Sequence, residues 1–210
     1  MPILSKRTFE KKDPFRDATI FLIVCEGGKR EPDYFRFFEG ISSKLNLIVI
    51  PSSEGKSAPN HLLENAKSAI IKNNSDEGDF ELWFVLDNDK WGTHIHTLNN
   101  ECATKNDKWK IALSNPCFEV WLYYHFRSEK PLPEIIETSN VWKALVNTTI
   151  NGGFDSTRHP ILISDAIANS RNNYTKRGYI PDPGSTDLHQ LGSKIYDLTK
   201  NIIDKYSKAN

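Results

Sequence analysis

Thr19–Cys25 reads TIFLIVC, and Glu26-Gly27-Gly28 follows at once. An apolar and β-branched run without polar alternation describes a strand covered on both faces. The two glycines predict a tight turn. A helix is then expected from Glu31 or Pro32 to about Ser43, with Pro32 suited to its first turn. Tyr34, Phe35, Phe37 and Phe38 would supply its buried face, and so many aromatics also suit a broad contact surface. Leu45–Ile50 (LNLIVI) is the next strand, Pro51–Pro59 a loop, and His61–Lys72 a helix with Leu62, Leu63, Ala66, Ala69 and Ile70 inward. Phe80–Leu86 (FELWFVL) reads as the third strand and Lys108–Leu113 (KWKIAL) as the fourth, with a short helix near Thr93–Thr104 between them.

Ser114-Asn115-Pro116 predicts a helix start, a capping side chain followed by proline in the first turn. That helix would run to Phe126 with Phe118, Val120, Trp121, Leu122 and Tyr124. Beyond Pro131-Leu132-Pro133 the strand signal disappears, and Val141–Thr148, Ile161–Asn172 and Asp187–Ile203 read as helices. Alternating strands and helices imply right-handed crossovers. The expected fold is α/β: a four-stranded, mostly parallel sheet of order 2-1-3-4, flanked by helices. Residues 1–17 form a basic arm (Lys6, Arg7, Lys11, Lys12, Arg16), residues 18–130 the core, and residues 131–210 a helical extension packed on it.

The chain has 210 residues, and its 27 basic and 27 acidic side chains cancel, so net charge does not advertise nucleic-acid binding. No apolar run approaches the ~20 residues that cross a bilayer. The first residues have no apolar signal core, which predicts a cytoplasmic protein without a membrane partner. Cys25, Cys102 and Cys117 are odd in number and widely spaced, as expected of a reducing compartment without a disulfide framework.

The chemistry is read from acids placed after strands. Glu26 closes the first strand; Asp87-Asn88-Asp89 closes the third. In an open parallel sheet ligands bind at the carboxyl edge, where strand order reverses. The order 2-1-3-4 puts the first and third strands side by side, so Glu26, Asp87 and Asp89 would meet there. Such crowding calls for a cation, and hard oxygen ligands select Mg²⁺ or Mn²⁺. Glu119, near the start of the fourth-strand helix, would be a further metal ligand; a capping role is the plainer alternative. Lys29 and Arg30 would neutralise phosphate charge. Ser114 and Asn115 lie at the same edge as candidate substrate contacts.

Gly55-Lys56-Ser57 resembles the end of a Walker A loop. The glycine required five positions before the motif's final glycine is Ile50 here, so an ATP-binding P-loop is not expected. Lys56 and the loop amides remain candidates for touching a phosphate. His94 and His96 read as surface residues, His125 as a structural or surface histidine. Pro181–Leu191 (PDPGSTDLHQL) reads as a rigid turn followed by a helix start at Ser185-Thr186-Asp187.

Val24–Phe35 (VCEGGKREPDYF), Val85–Trp91 (VLDNDKW), Ser114–Phe126 (SNPCFEVWLYYHF) and Pro181–Leu191 occur in that order. Together they resemble the RloB family, which includes the second component of AbiL abortive-infection systems. That family is similar to the Toprim superfamily, whose Rossmann-like fold carries a Glu after the first strand and a DxD after the third. The resemblance implies Mg²⁺-dependent work on phosphodiesters, with Glu26 matching the Toprim glutamate and Asp87 and Asp89 the DxD. Many Toprim proteins carry a third Asp two positions further; here that position is Trp91. The resemblance also implies an ABC/SMC-type ATPase as partner.

The expectation is a metal-dependent nuclease cleaving DNA or RNA, the effector of an antiphage system, with homo-oligomerisation left open. Asp87, Asp89, Glu26 and Glu119 would hold metal, and Glu26, Lys29 and Arg30 would act in catalysis. One alternative is a non-catalytic module that docks on an ATPase or binds nucleic acid. A small-molecule phosphohydrolase or phosphoacceptor domain would place its acids differently: a receiver domain has paired acids after the first strand, and a haloacid-type phosphatase carries its DxD there.

Overall fold

The structure is a computed structural model and describes residues 11–53, 58–72, 80–88, 92–105, 107–136 and 138–207. A five-stranded sheet has the order β2-β1-β3-β4-β7, with β1 Thr19–Cys25, β2 Leu45–Ile50, β3 Phe80–Asp87, β4 Trp109–Asn115 and β7 Ser185–Thr186. The four long strands thus follow the order expected from sequence. β1 pairs in parallel with β2, from Thr19↔Leu45 to Val24↔Ile50, and with β3, from Ile20↔Phe80 to Cys25↔Val85. β1 has a strand on each side, and its last five residues are buried, as its unbroken apolar sequence requires.

The helices are α1 Arg30–Arg36, α2 Pro59–Lys72, α3 Thr93–Ala103, α4 Glu119–Tyr123, α5 Ser139–Thr149, α6 Ile163–Asn172 and α7 Leu188–Ser207. A second, two-stranded sheet pairs β5 Lys176–Arg177 with β6 Ile180–Pro181. No described helix is long and apolar enough to cross a membrane. Two compact units divide the chain. One holds the described residues within Glu10–Leu86 and Lys90–Ala112; the other holds those within Asp87–Asp89 and Leu113–Asn210.

In the first unit, the helix expected to reach about Ser43 stops at Arg36. Tighter turns take over, Phe37 N–H donating to the Tyr34 carbonyl and Phe38 N–H to that of Phe35. They end at Gly40, whose φ of +65° would strain any other residue. There a Cβ would also press on the Lys12 backbone at 3.2 Å. Tyr34, Phe35, Phe37 and Phe38 pack edge to face and are buried, so this aromatic run is core and not the broad contact surface its density suggested.

In the second unit, Ser114-Asn115 corrects the expected helix start. Asn115 closes β4, donating its side-chain amide to the Pro181 carbonyl at 2.7 Å and accepting Gly184 N–H on its own carbonyl. Both groups are committed to the strand edge, so the helix begins only at Glu119 and ends at Tyr123. Ser185-Thr186, read as a helix start, is instead a strand antiparallel to β4, with Ser114↔Thr186 and Asn115↔Ser185 in register. Trp121 and Trp142 are sealed inside this unit, and the α7 residue Gly192 leaves room for the Trp121 ring, which a Cβ would meet at 2.9 Å.

His125 is buried in the same unit. Its Nδ1–H donates to the Trp121 carbonyl at 3.0 Å, and its ring packs edge to face on Trp121 and Phe154. Burial, helped by nearby His159, lowers its pKa to about 3. The unfolded chain therefore takes up a proton below about 6.5 that the folded chain refuses down to about 3. This group's stabilising contribution is whole above 6.5 and is lost as pH falls through that window. Urea titrations between pH 4 and 7 are expected to show stability falling by on the order of 1 kcal/mol per pH unit on this account. His125→Phe should flatten that part of the slope.

Candidate acidic site at the carboxyl ends of the strands

In the first unit Glu26 follows β1 directly and is 6% exposed. Its backbone N–H donates to the Val85 carbonyl at 2.9 Å, extending the β1–β3 ladder by one residue, and its carbonyl accepts the Ser52 hydroxyl. The turn after it is crowded. A Cβ on Gly27 would collide with the Glu31 carboxylate, and one on Gly28 would sit 3.3 Å from the Ser52 carbonyl. The glycines thus let the chain pass under a buried acid in the first turn of α1. Glu31 also acts electrostatically on Cys25, whose thiol is pushed up chiefly by burial and further by that carboxylate. Gly27→Ala is expected to cost about 1–3 kcal/mol, the range for overpacking a tight site. Chemical denaturation would measure it, and Glu31→Ala in the same chain should recover part of the loss.

Lys29 precedes α1, and both it and Arg30 are exposed. Lys56 lies outside the described residues.

In the second unit Asp87 is half-buried, and the next residue, Asn88, donates its N–H to the Ser114 carbonyl at 2.9 Å. Glu119 is 4% exposed in the first turn of α4. Asp87 and Glu119 both act on Cys117: its thiol is pushed well up by burial first, then by the charge of Glu119 and that of Asp87. The thiol donates to the Ser139 carbonyl at 3.9 Å. Two acids and a protonated thiol therefore share one neighbourhood, and Cys117 is a partner that sequence reading did not place among the site residues. Asp89 lies outside the described residues. Among the described residues no three His, Cys, Asp or Glu side chains form a group fit to hold a metal ion.

Ser114 and Asn115 spend their polar groups inside the protein. The Ser114 hydroxyl is buried and pairs with that of Thr186 at 2.8 Å; Asn115 binds the Pro181 carbonyl. The first contact ties β7 to β4, and the second ties β6 to β4. His94 and His96 are exposed on α3, with Ile95 between them buried.

Sequence reading also missed a cluster around Asp187, which is 5% exposed at the junction of β7 and α7. Its carboxylate accepts the Tyr174 hydroxyl, the Gln190 amide at 3.3 Å and the Leu113 N–H at 3.4 Å. Burial raises its pKa against these donors. The acid bonding to Tyr174 comes from another element, which the separation of the two residues in sequence conceals.

A mostly parallel α/β sheet of order 2-1-3-4, flanked by helices, defines the class; in open sheets of this class ligands bind at the carboxyl edge. Within that class the chain belongs to the RloB-like protein family, whose pattern matches residues 21–202. No curated protein and no solved structure matches it.

Proposed function

We propose that this chain is a Toprim-like, Mg²⁺- or Mn²⁺-dependent nuclease, the effector of a bacterial abortive-infection system that works with an ABC/SMC-type ATPase. One observation carries the reading: the strand bearing buried Glu26 at its end runs parallel to, and beside, the strand that ends in Asp87. The crowding of Asp87 and Glu119 around Cys117 supports it, because like charges held together are relieved by a cation. In this reading Asp87 and Asp89 hold the metal, with Glu119 and Glu26 as further oxygen ligands. A bound divalent ion supplies Lewis-acid stabilisation of phosphate oxygens and a more acidic water. Glu26 either completes the ligand set or moves a proton to or from the attacking water or leaving oxygen. Exposed Lys29 and Arg30 offset the charge developing on the phosphate.

The test is purification together with the ATPase partner, then incubation with tRNA, plasmid and single-stranded DNA in Mn²⁺. Chelator-sensitive cleavage of at least one substrate is expected; cleavage of none overturns the reading. A second reading, a non-catalytic module that docks on the ATPase or binds nucleic acid, is favoured by Trp91, which stands where many Toprim proteins carry a third acid. Calorimetry with Mg²⁺ separates the two, because a module without a metal site binds the ion weakly or not at all.

A further inference from the structure

His189, in the first turn of α7, is 7% exposed and held from both sides of its ring. Its Nδ1 lies 2.8 Å from the Thr186 carbonyl, which can only accept, so Nδ1 carries the proton. The ring packs edge to face on Tyr174, centroids 4.6 Å apart, and the Tyr174 hydroxyl is anchored on Asp187. Tautomer and orientation are thereby set, and Nε2 is left with its lone pair. That atom has no hydrogen-bond partner among the described residues and keeps contact with solvent.

Two exposed cations act on the ring by charge, each linked to it through a neighbour. Arg171 on α6 donates to the Ser193 hydroxyl at 2.9 Å, and Ser193 donates in turn to the His189 carbonyl at 2.6 Å. Lys176, on β5, places Nζ 6.0 Å from the centre of the Tyr174 ring. The neighbouring carboxylate, Asp187, is engaged by Tyr174, Gln190 and Leu113. The charges acting on His189 are accordingly those of Arg171 and Lys176, which reinforce burial in keeping the imidazole neutral.

An oriented neutral imidazole under the charge of two nearby cations is a poor site for a cation and a good one for a phosphate. We propose that His189, Arg171 and Lys176 form a binding site for a phosphate ester, and that His189 takes one proton from solvent onto Nε2 when the anion binds. Arg171 and Lys176 then meet phosphate oxygens by charge, and Nε2–H donates to another. A nucleic-acid backbone is the phosphate source that fits the proposed function, and only the choice of polymer as ligand rests on that reading. Linkage sets the sign: an anion favours the protonated ring, so affinity for an anion of constant charge rises as pH falls toward the free imidazole's pKa.

The experiment is histidine-labelled NMR on the full chain, titrated with sulfate, whose charge is constant, then with inorganic phosphate, then with a single-stranded oligonucleotide. In the free protein His189 is expected as the Nδ1–H tautomer with its pKa below the ordinary value. Sulfate and phosphate should give a saturable shift at its Nε2 and raise that pKa. Lys176→Ala and Arg171→Ala should each weaken phosphate binding about tenfold, the scale of one charge-assisted hydrogen bond, with the tautomer unchanged. His189→Asn, which keeps a donor for Thr186, should abolish the proton uptake. An unchanged His189 spectrum at saturating phosphate, or a pKa unmoved by sulfate, overturns the proposal. A response to phosphate and sulfate without one to the oligonucleotide assigns the site to a small phosphate ester. A shift in a chain that cuts nothing keeps this site while the nuclease reading falls; cleavage with a silent His189 does the reverse.

Discussion

Asp87→Asn is expected to lower metal-dependent cleavage by at least about a hundredfold, the usual cost of removing one fixed group that stabilises transition-state charge. The substitution keeps side-chain volume at a half-buried strand end, so secondary structure should not change. A second readout separates lost chemistry from lost folding. A ligand that binds only the folded chain raises Tm by mass action. Mg²⁺ or Mn²⁺ should therefore raise the Tm of the unaltered protein and leave that of Asp87→Asn nearly where it was. Without metal the variant should melt no lower than the parent, because one of the two acids crowding Cys117 is gone. Glu26→Gln should lose cleavage in the same way. An Asp87→Asn protein that cuts at the parental rate removes this residue from the mechanism.

Trp142→Ala is expected to cost about 3–5 kcal/mol, the range for deleting a large aromatic from a packed interior. The ring is fully buried on α5, donates Nε1–H to the Ile136 carbonyl at 2.9 Å and packs edge to face on Tyr123 at 5.3 Å. Gly184, at φ +75°, comes close enough that its Cβ would lie 3.3 Å from the same ring. Truncation thus opens a cavity, strands the Ile136 carbonyl and frees the turn that leads into β7. At roughly 2–4 °C per kcal/mol for a chain of this size, Tm should drop by about 6–20 °C. Scanning calorimetry checks it, and a loss under about 1 kcal/mol would mean that the cavity collapses.

The main sheet was legible because its four long strands carry their own signal. TIFLIVC and FELWFVL bury whole faces, and only strand-like spacing fits runs so short. The positions of Glu26 and Asp87 followed from strand order, which βαβ handedness constrains. The small strands were not legible. Lys176–Arg177, Ile180–Pro181 and Ser185–Thr186 have two residues each and no apolar pattern; β7 exists because β4 offers it a ladder. The Ser-Asn-Pro signal misled for a related reason: side chains that suit a helix cap serve a strand edge equally well when Pro181 and Thr186 are at hand. His189 showed nothing in sequence, since its orientation comes from the Thr186 carbonyl and from Tyr174 in the loop before β5.

The backbone changes unit after Leu86, again between Asn88 and Gly92, and after Ala112. No single cut of the gene can therefore yield both halves as complete fragments. Any truncation that stops before residue 113 makes Asp87 and Asn88 without Ser114, whose carbonyl receives Asn88 N–H. During synthesis this pair leaves the ribosome before its later neighbours, so its final arrangement must wait for them. A prematurely terminated product would carry Glu26 and Asp87 yet lack the scaffold for the second acid.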